Sequence, residues 1–188
     1  MQSFTTKRLL IRPLSAQDKS LYCQLYTNKE IMRYISKPLT TSDAEIGFER
    51  TLKLMLMKKA YFLTWAIIDK DTNKAIGLLT LITSKPKNTT SQSALSLVQP
   101  PEIGIVLRQQ AQGKSLSKEA LGALIEYGFK QLNLSYINIR FYDKNLAIKH
   151  LVKRLGFQFQ PNPNINDKSV CCIYQQHNWQ QTIITKIL

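Results

Sequence analysis

The chain has 188 residues, 44% of them hydrophobic, which allows one domain with a buried core and excludes general disorder. Lys and Arg number 26 against 12 Asp and Glu, a net charge of +14, so the surface attracts anions. On charge alone a solubilising surface, a polyanionic cofactor and nucleic acid all stay open.

No apolar run is long enough for a membrane span, and Met1 to Leu14 lacks the apolar stretch and cleavage site of a secretory signal. The three cysteines, Cys23, Cys171 and Cys172, are odd in number with two adjacent, a poor disulfide framework. No Cys/His cluster has zinc-ligand spacing, so no metal is expected. Free thiols in a reducing cytoplasm are the simpler account.

In chain order, Arg8 to Leu14 reads as a first strand. Ser15 and Asp18 stand at capping-box spacing and open a helix whose apolar face is Leu21, Tyr22 and Leu25. Glu30 to Ile35 is a short helical turn, ended before Pro38. Ser42 and Glu45 form a second capping box, opening a helix to about Lys59 with Ile46, Leu52, Met55 and Leu56 near helical spacing. Tyr61 to Asp69 and Ala75 to Thr83 read as strands of an antiparallel hairpin joined by a DKDTNK turn.

Ser84 to Pro100, rich in Ser, Thr, Asn, Lys and Pro, reads as a loop within one domain spanning residues 1–188. Glu102 to Leu107 is a short strand. A polar turn follows, and Ser117 to Gln131 is a long helix burying Ala120, Leu121, Leu124, Ile125, Tyr127 and Phe129. Tyr136 to Tyr142 alternates as a strand, with Ile137, Ile139 and Phe141 on one face. Asn145 to Leu155 is a helix closed by Gly156. Phe157 begins a short strand, and Val170 to His177 is the last one.

The informative segment runs from Glu102 to Gly156. A strand that passes through a tight polar turn into a helix N-terminus builds an anion site, because first-turn N–H groups are unpaired and the helix dipole is positive there. Gly113 lets the backbone approach phosphate, and Arg108 and Lys114 add charge at the rim. A P-loop is excluded: it needs glycine five residues before Gly113, where Arg108 stands. His150, among basic residues, reads as surface, and no Ser-His-Asp or Cys-His arrangement is legible. The lysine clusters at 58–59, 85–87 and 149–154 read as solvated faces, and no RRM, KH or helix-turn-helix signature supports specific nucleic-acid binding.

Gln110-x-x-Gly113-x-Ser115 resembles the Q/R-x-x-G-x-G/A turn of GNAT acetyltransferases. Asn145 followed by Leu155-Gly156-Phe157 resembles that family's N-x-x-S…K-x-G-F segment. Thr6 to Leu14 and Tyr174 to Trp179 resemble the branch containing the ribosomal-protein N-terminal acetyltransferases, RimJ- and RimL-like. There are two departures: Ser115 replaces Gly or Ala, and Ile148 replaces the serine thought to protonate the leaving thiolate.

The resemblance implies an α/β (α+β) fold, with a mixed, mostly antiparallel sheet of six to seven strands flanked by helices on both faces. It implies an N-acetyltransferase that takes acetyl-CoA as co-substrate and passes the acetyl group directly to a primary amine, either a protein N-terminus or a small amine. Ribosome proximity and a monomer or homodimer are compatible with it. The cofactor enters where Glu102–Leu107 and Tyr136–Tyr142 diverge. Cofactor binding falls to Ile105, Val106, Leu107, Arg108, Gln110, Gln112, Gly113, Lys114, Ser115 and Asn145. Backbone amides near Ile105 to Leu107 face the developing oxyanion. Glu102 is the candidate base and Tyr142 the candidate acid. Asn145 also suits the N-cap of its helix. The acceptor pocket is expected from Ile31 to Thr41 and the Ser84–Pro100 loop. Two other functions are the alternatives: a catalytically weak acyl-CoA-binding or sensor protein, motivated by Ile148, and a basic nucleic-acid-binding domain.

Overall fold

The computed structural model describes residues 1–57, 61–83, 100–161 and 168–179. The expected loop Ser84 to Pro100, but for Pro100, and the lysines at 58–59 and 85–87 lie outside the described residues.

The chain opens with two short strands, β1 (Phe4–Thr5) and β2 (Leu9–Pro13). A 3-10 turn over Ala16–Asp18 leads into α1 (Lys19–Thr27), followed by α2 (Lys29–Met32) and α3 (Thr41–Met55). Three strands come next: β3 (Phe62–Asp69), β4 (Lys74–Ile82) and β5 (Glu102–Leu107). Then α4 (Leu116–Gln131), β6 (Tyr136–Tyr142), α5 (Leu146–Leu155), β7 (Gln158–Phe159) and β8 (Ser169–Gln175) complete the order. Among the described residues the sheet holds eight strands in the order β1-β2-β3-β4-β5-β6-β8-β7. The expected six to seven is exceeded because the two-residue β1 adds to one edge, while β7 is the short strand expected from Phe157. Every neighbouring pair is antiparallel except β5 and β6.

Strand alternation gives the sheet two apolar faces. One packs Leu9, Ile11, Trp65, Leu79, Ile103, Ile137 and Ile139 against α4 and α5. The other packs Leu14, Ala66, Ile68 and Leu78 against Leu21, Tyr22 and Leu25 of α1 and Phe48 of α3. Helices therefore cover both faces, as expected. Among the described residues no helix is long and apolar enough to cross a membrane.

Three local expectations need correction. The cap of α3 is Thr40, whose hydroxyl accepts from the Asp43 N–H at 3.1 Å, not Ser42 with Glu45. That register buries Ala44, Phe48 and Thr51 and leaves Ile46, two residues from Ala44 and on the opposite side of the helix, 63% exposed. Leu56, at the C-cap, is 86% exposed. The last strand ends at Gln175, and His177 sits in a 3-10 turn.

Candidate functional site

The β5 strand pairs with β4 along its whole length, from Ile82↔Glu102 to Gly77↔Leu107. With β6 it pairs at only two positions, Glu102↔Asn138 and Ile103↔Ile139. Beyond these the parallel strands part, and a cleft of about 1010 Å³ opens between them. The Arg108 N–H donates to the Ile76 carbonyl at 2.8 Å, which sets the alternation along β5. Val106 therefore spends its N–H on β4, while Ile105 and Leu107 turn theirs toward the opening. Of the three amides expected to face a reacting carbonyl, Val106 is thus not available. The Leu107 carbonyl accepts from Gln112 Nε2 at 3.1 Å, which folds the turn back onto the strand.

After Leu107 the chain makes a 3-10 turn, Gln109–Ala111, and then reverses. Gly113 has φ +74°, and a Cβ built there would meet nothing within 4 Å. Glycine is therefore needed for backbone conformation, and the space above it is open. Ser115 is also left-handed, at φ 60° and ψ 11°. The position where the resembling turn has Gly or Ala thus has a positive φ in this chain. Among the described residues, the N–H groups of Gly113 to Ser117 find no backbone acceptor. Of these five residues Gly113 and Ser117 line the cleft, and the positive end of a 16-residue helix lies at the turn.

The polar side chains lie on one face of the diverging strands. Glu102 sits where β5 and β6 still pair, and its Oε2 is 3.6 Å from Arg140 Nε, a loose and half-exposed ion pair. Asn138 lies beside it, with its Oδ1 buried and without a partner. Tyr142, 47% exposed, stands four residues farther along β6, about 13 Å at strand rise. Glu102 and Tyr142 therefore occupy the closed and open ends of the cleft and do not touch. Asn145 caps α5, its Oδ1 accepting from the Ile148 N–H at 3.3 Å.

Of the sequence-predicted residues, the cleft is lined by Glu102, Ile105, Val106, Leu107, Gln112, Gly113, Tyr142 and Asn145. Arg108 and Gln110 instead border a smaller pocket of about 150 Å³ with Gln24 and Asn28, and Lys114 and Ser115 stay in the turn. The expected acceptor segment contributes Ile31, Arg33, Tyr34 and Ile35 to the cleft wall. Arg140 was not anticipated, although strand alternation from Tyr142 places it on the same face.

The cysteines lie outside the cleft lining. Burial, then the neighbouring Cys171, pushes the Cys172 thiol up to about 11. His150 and His177 are exposed and line neither pocket. Among the described residues no group of His, Cys, Asp or Glu is placed to hold a metal ion.

Comparison with known proteins now adds to this geometry. A family model described as an acetyltransferase (GNAT) domain matches residues 8–158. An uncharacterized N-acetyltransferase, p20 of Bacillus licheniformis, is 29% identical over 160 residues, covering 84% of this chain and 83% of that protein. Among solved structures, a spermidine N-acetyltransferase from Vibrio cholerae, in complex with CoA and spermine, superposes with a TM-score of 0.71 at 20% identity. The match covers 90% of this chain and 96% of that one. A ribosomal-protein-S5-alanine acetyltransferase from Vibrio fischeri gives 0.72 at 16% identity, covering 96% and 100%. These two structures speak for the fold. The family match, which spans the diverging strands and the turn between them, shows that the chain belongs to the GNAT acetyltransferases and is an acyltransferase.

Proposed function

We propose that the protein binds acetyl-CoA at the turn between β5 and α4 and transfers the acetyl group by direct attack to a primary amine. GNAT acetyltransferases use acetyl-CoA, and the residues present suit it. The observation that carries the reading is the run of unpaired amides at Gly113 to Ser117 beneath open space, a cradle for a diphosphate. Bound there, acetyl-CoA supplies the thioester that the amine attacks.

The chain's own groups then divide the proton work. Glu102, at the closed end, takes a proton from the incoming amine directly or through one water. The amides of Ile105 and Leu107 point into the opening and meet the charge that gathers on the carbonyl oxygen. Tyr142, at the open end, gives a proton to the departing thiolate, a role that the side chain of Ile148 cannot fill. Base and acid serve two atoms on one tetrahedral carbon, so the two side chains and a water on the Glu102 side must span the separation of about 13 Å along β6. Asn145 uses its oxygen as a helix cap and keeps its NH2 for the ligand.

The acceptor is a primary monoamine, at a polypeptide N-terminus or on a small molecule. Both acceptor types occur among proteins of this fold, one neighbour being a spermidine N-acetyltransferase and another a ribosomal-protein-S5-alanine acetyltransferase. The cleft wall mixes Glu30 and Glu102 with Arg33, Arg140 and Lys144, which is not an acidic cage for a polycation. A terminal-amine acceptor is the reading closest to the RimJ-like branch.

The test is thiol release from acetyl-CoA across a panel of N-terminal peptides, monoamines and polyamines. Acceptor-stimulated release with a peptide or monoamine supports the reading. Tight CoA binding without stimulated release by any amine favours the acyl-CoA sensor instead, the outcome that Ile148 motivates.

A further inference from the structure

The turn holds two departures from ordinary backbone one residue apart, Gly113 at φ +74° and Ser115 at φ 60°. A serine in the left-handed region persists only where its surroundings over-determine it. The residue between them is Lys114, and its carbonyl accepts a hydrogen bond from Arg8 Nη1 at 3.0 Å. Arg8 lies 106 positions away in sequence, just before β2. The same guanidinium reaches a second target, its Nε donating to Glu119 Oε2 at 2.7 Å. The Arg8 backbone N–H donates to Glu119 Oε1 at 2.8 Å, and the Thr6 hydroxyl donates to that same oxygen. Thr6 is held in turn by the Leu9 N–H at 2.9 Å.

Glu119 stands in the first turn of α4 and is 3% exposed. An unpaired carboxylate at that place would occupy the positive potential that a bound diphosphate uses. We propose that Arg8 is a positioning residue for the diphosphate turn: its guanidinium fixes the Lys114 peptide between two left-handed residues and neutralises the Glu119 carboxylate beneath the phosphates. Arg8 touches no ligand in this role and acts through the turn. The inference rests on the acetyl-CoA reading and adds a residue outside the turn motif.

The experiment compares two acetyl donors, acetyl-CoA and S-acetylpantetheine, which carries the same thioester but no diphosphate. Arg8→Lys keeps the charge and loses the two-pronged geometry. For it, KM for acetyl-CoA should rise about tenfold, with kcat and the kinetics on S-acetylpantetheine within about twofold of wild type. The double variant Arg8→Ala/Glu119→Gln removes the tether without stranding a buried charge, and should show the same selective rise. Circular dichroism melting confirms that both variants fold. An equal loss with both donors, or no change with acetyl-CoA, overturns the inference. Wild-type protein that uses both donors with the same KM overturns the diphosphate reading along with it.

Discussion

Gly104 offers a substitution in which stability and activity should move in opposite directions. It sits on β5 opposite Thr80, two residues from Glu102 and on the same face. Its backbone is not left-handed, and a Cβ there would meet nothing within 4 Å. Gly104→Val therefore places a strand-favouring side chain in open space. Replacing strand glycine should stabilise the fold by up to about 1 kcal/mol, or about 2–4 °C in Tm for a chain of this size. The added methyl groups project into the cleft beside Glu102, where the amine must approach. Overpacking of that kind costs about 1–3 kcal/mol, so acceptor kcat/KM should fall about 5- to 150-fold. Binding of CoA, held at the far end of β5, should stay within about twofold. Calorimetry with CoA, a thermal melt and acceptor-dependent thiol release measure the three quantities. Unchanged acceptor kinetics in a folded Gly104→Val protein would refute the assignment of this face to the acceptor.

Other expectations follow from the same geometry. Gly113→Glu sets a side chain at φ +74° and a negative charge above the free amides, so calorimetry should show CoA affinity reduced about tenfold or more. Glu102→Gln should lower kcat on the order of 100- to 10,000-fold with CoA affinity retained, as read by steady-state kinetics and calorimetry. Burial raises the Glu119 carboxyl, but the hydrogen bonds from Thr6 and Arg8 outweigh it, and the net pKa lies below 4.5. Its stabilising share is then full above about pH 4.5 and lost as pH falls through the lowered value, so urea midpoints of Glu119→Gln should be less acid-sensitive than wild type. With Cys172 pushed up to about 11, alkylation at about pH 8 should mark Cys23 and Cys171 before Cys172, by peptide mass spectrometry.

Much of this fold is legible in local pattern. The apolar runs of β3 and β4, the period-two alternation of β6 and the apolar stripe of α4 follow directly from the residues, and the expected buried residues of α4 are buried. The β5–turn–α4 segment was readable because glycine and a helix start in that order have a physical meaning. The cap of α3 was not, because Thr40, Thr41 and Ser42 are three adjacent candidates and packing of Phe48 chooses among them. The two-residue strand β1 carries too little pattern to read alone, whereas the short strand expected from Phe157 is β7. Among site residues, Glu102 and Tyr142 were legible as strand ends, but their separation depends on where β5 and β6 stop pairing. Arg8 and Glu119 are 111 positions apart, so no spacing rule joins them. The positive φ at Ser115 is likewise a tertiary outcome, held by that distant arginine.

A crystal structure of the protein with CoA bound tests the central claim most directly. Diphosphate oxygens within hydrogen-bond distance of the Gly113 to Ser117 amides, with the pantetheine arm between β5 and β6, are the predicted result. CoA bound elsewhere, or a turn left empty in crystals saturated with CoA, would contradict the account.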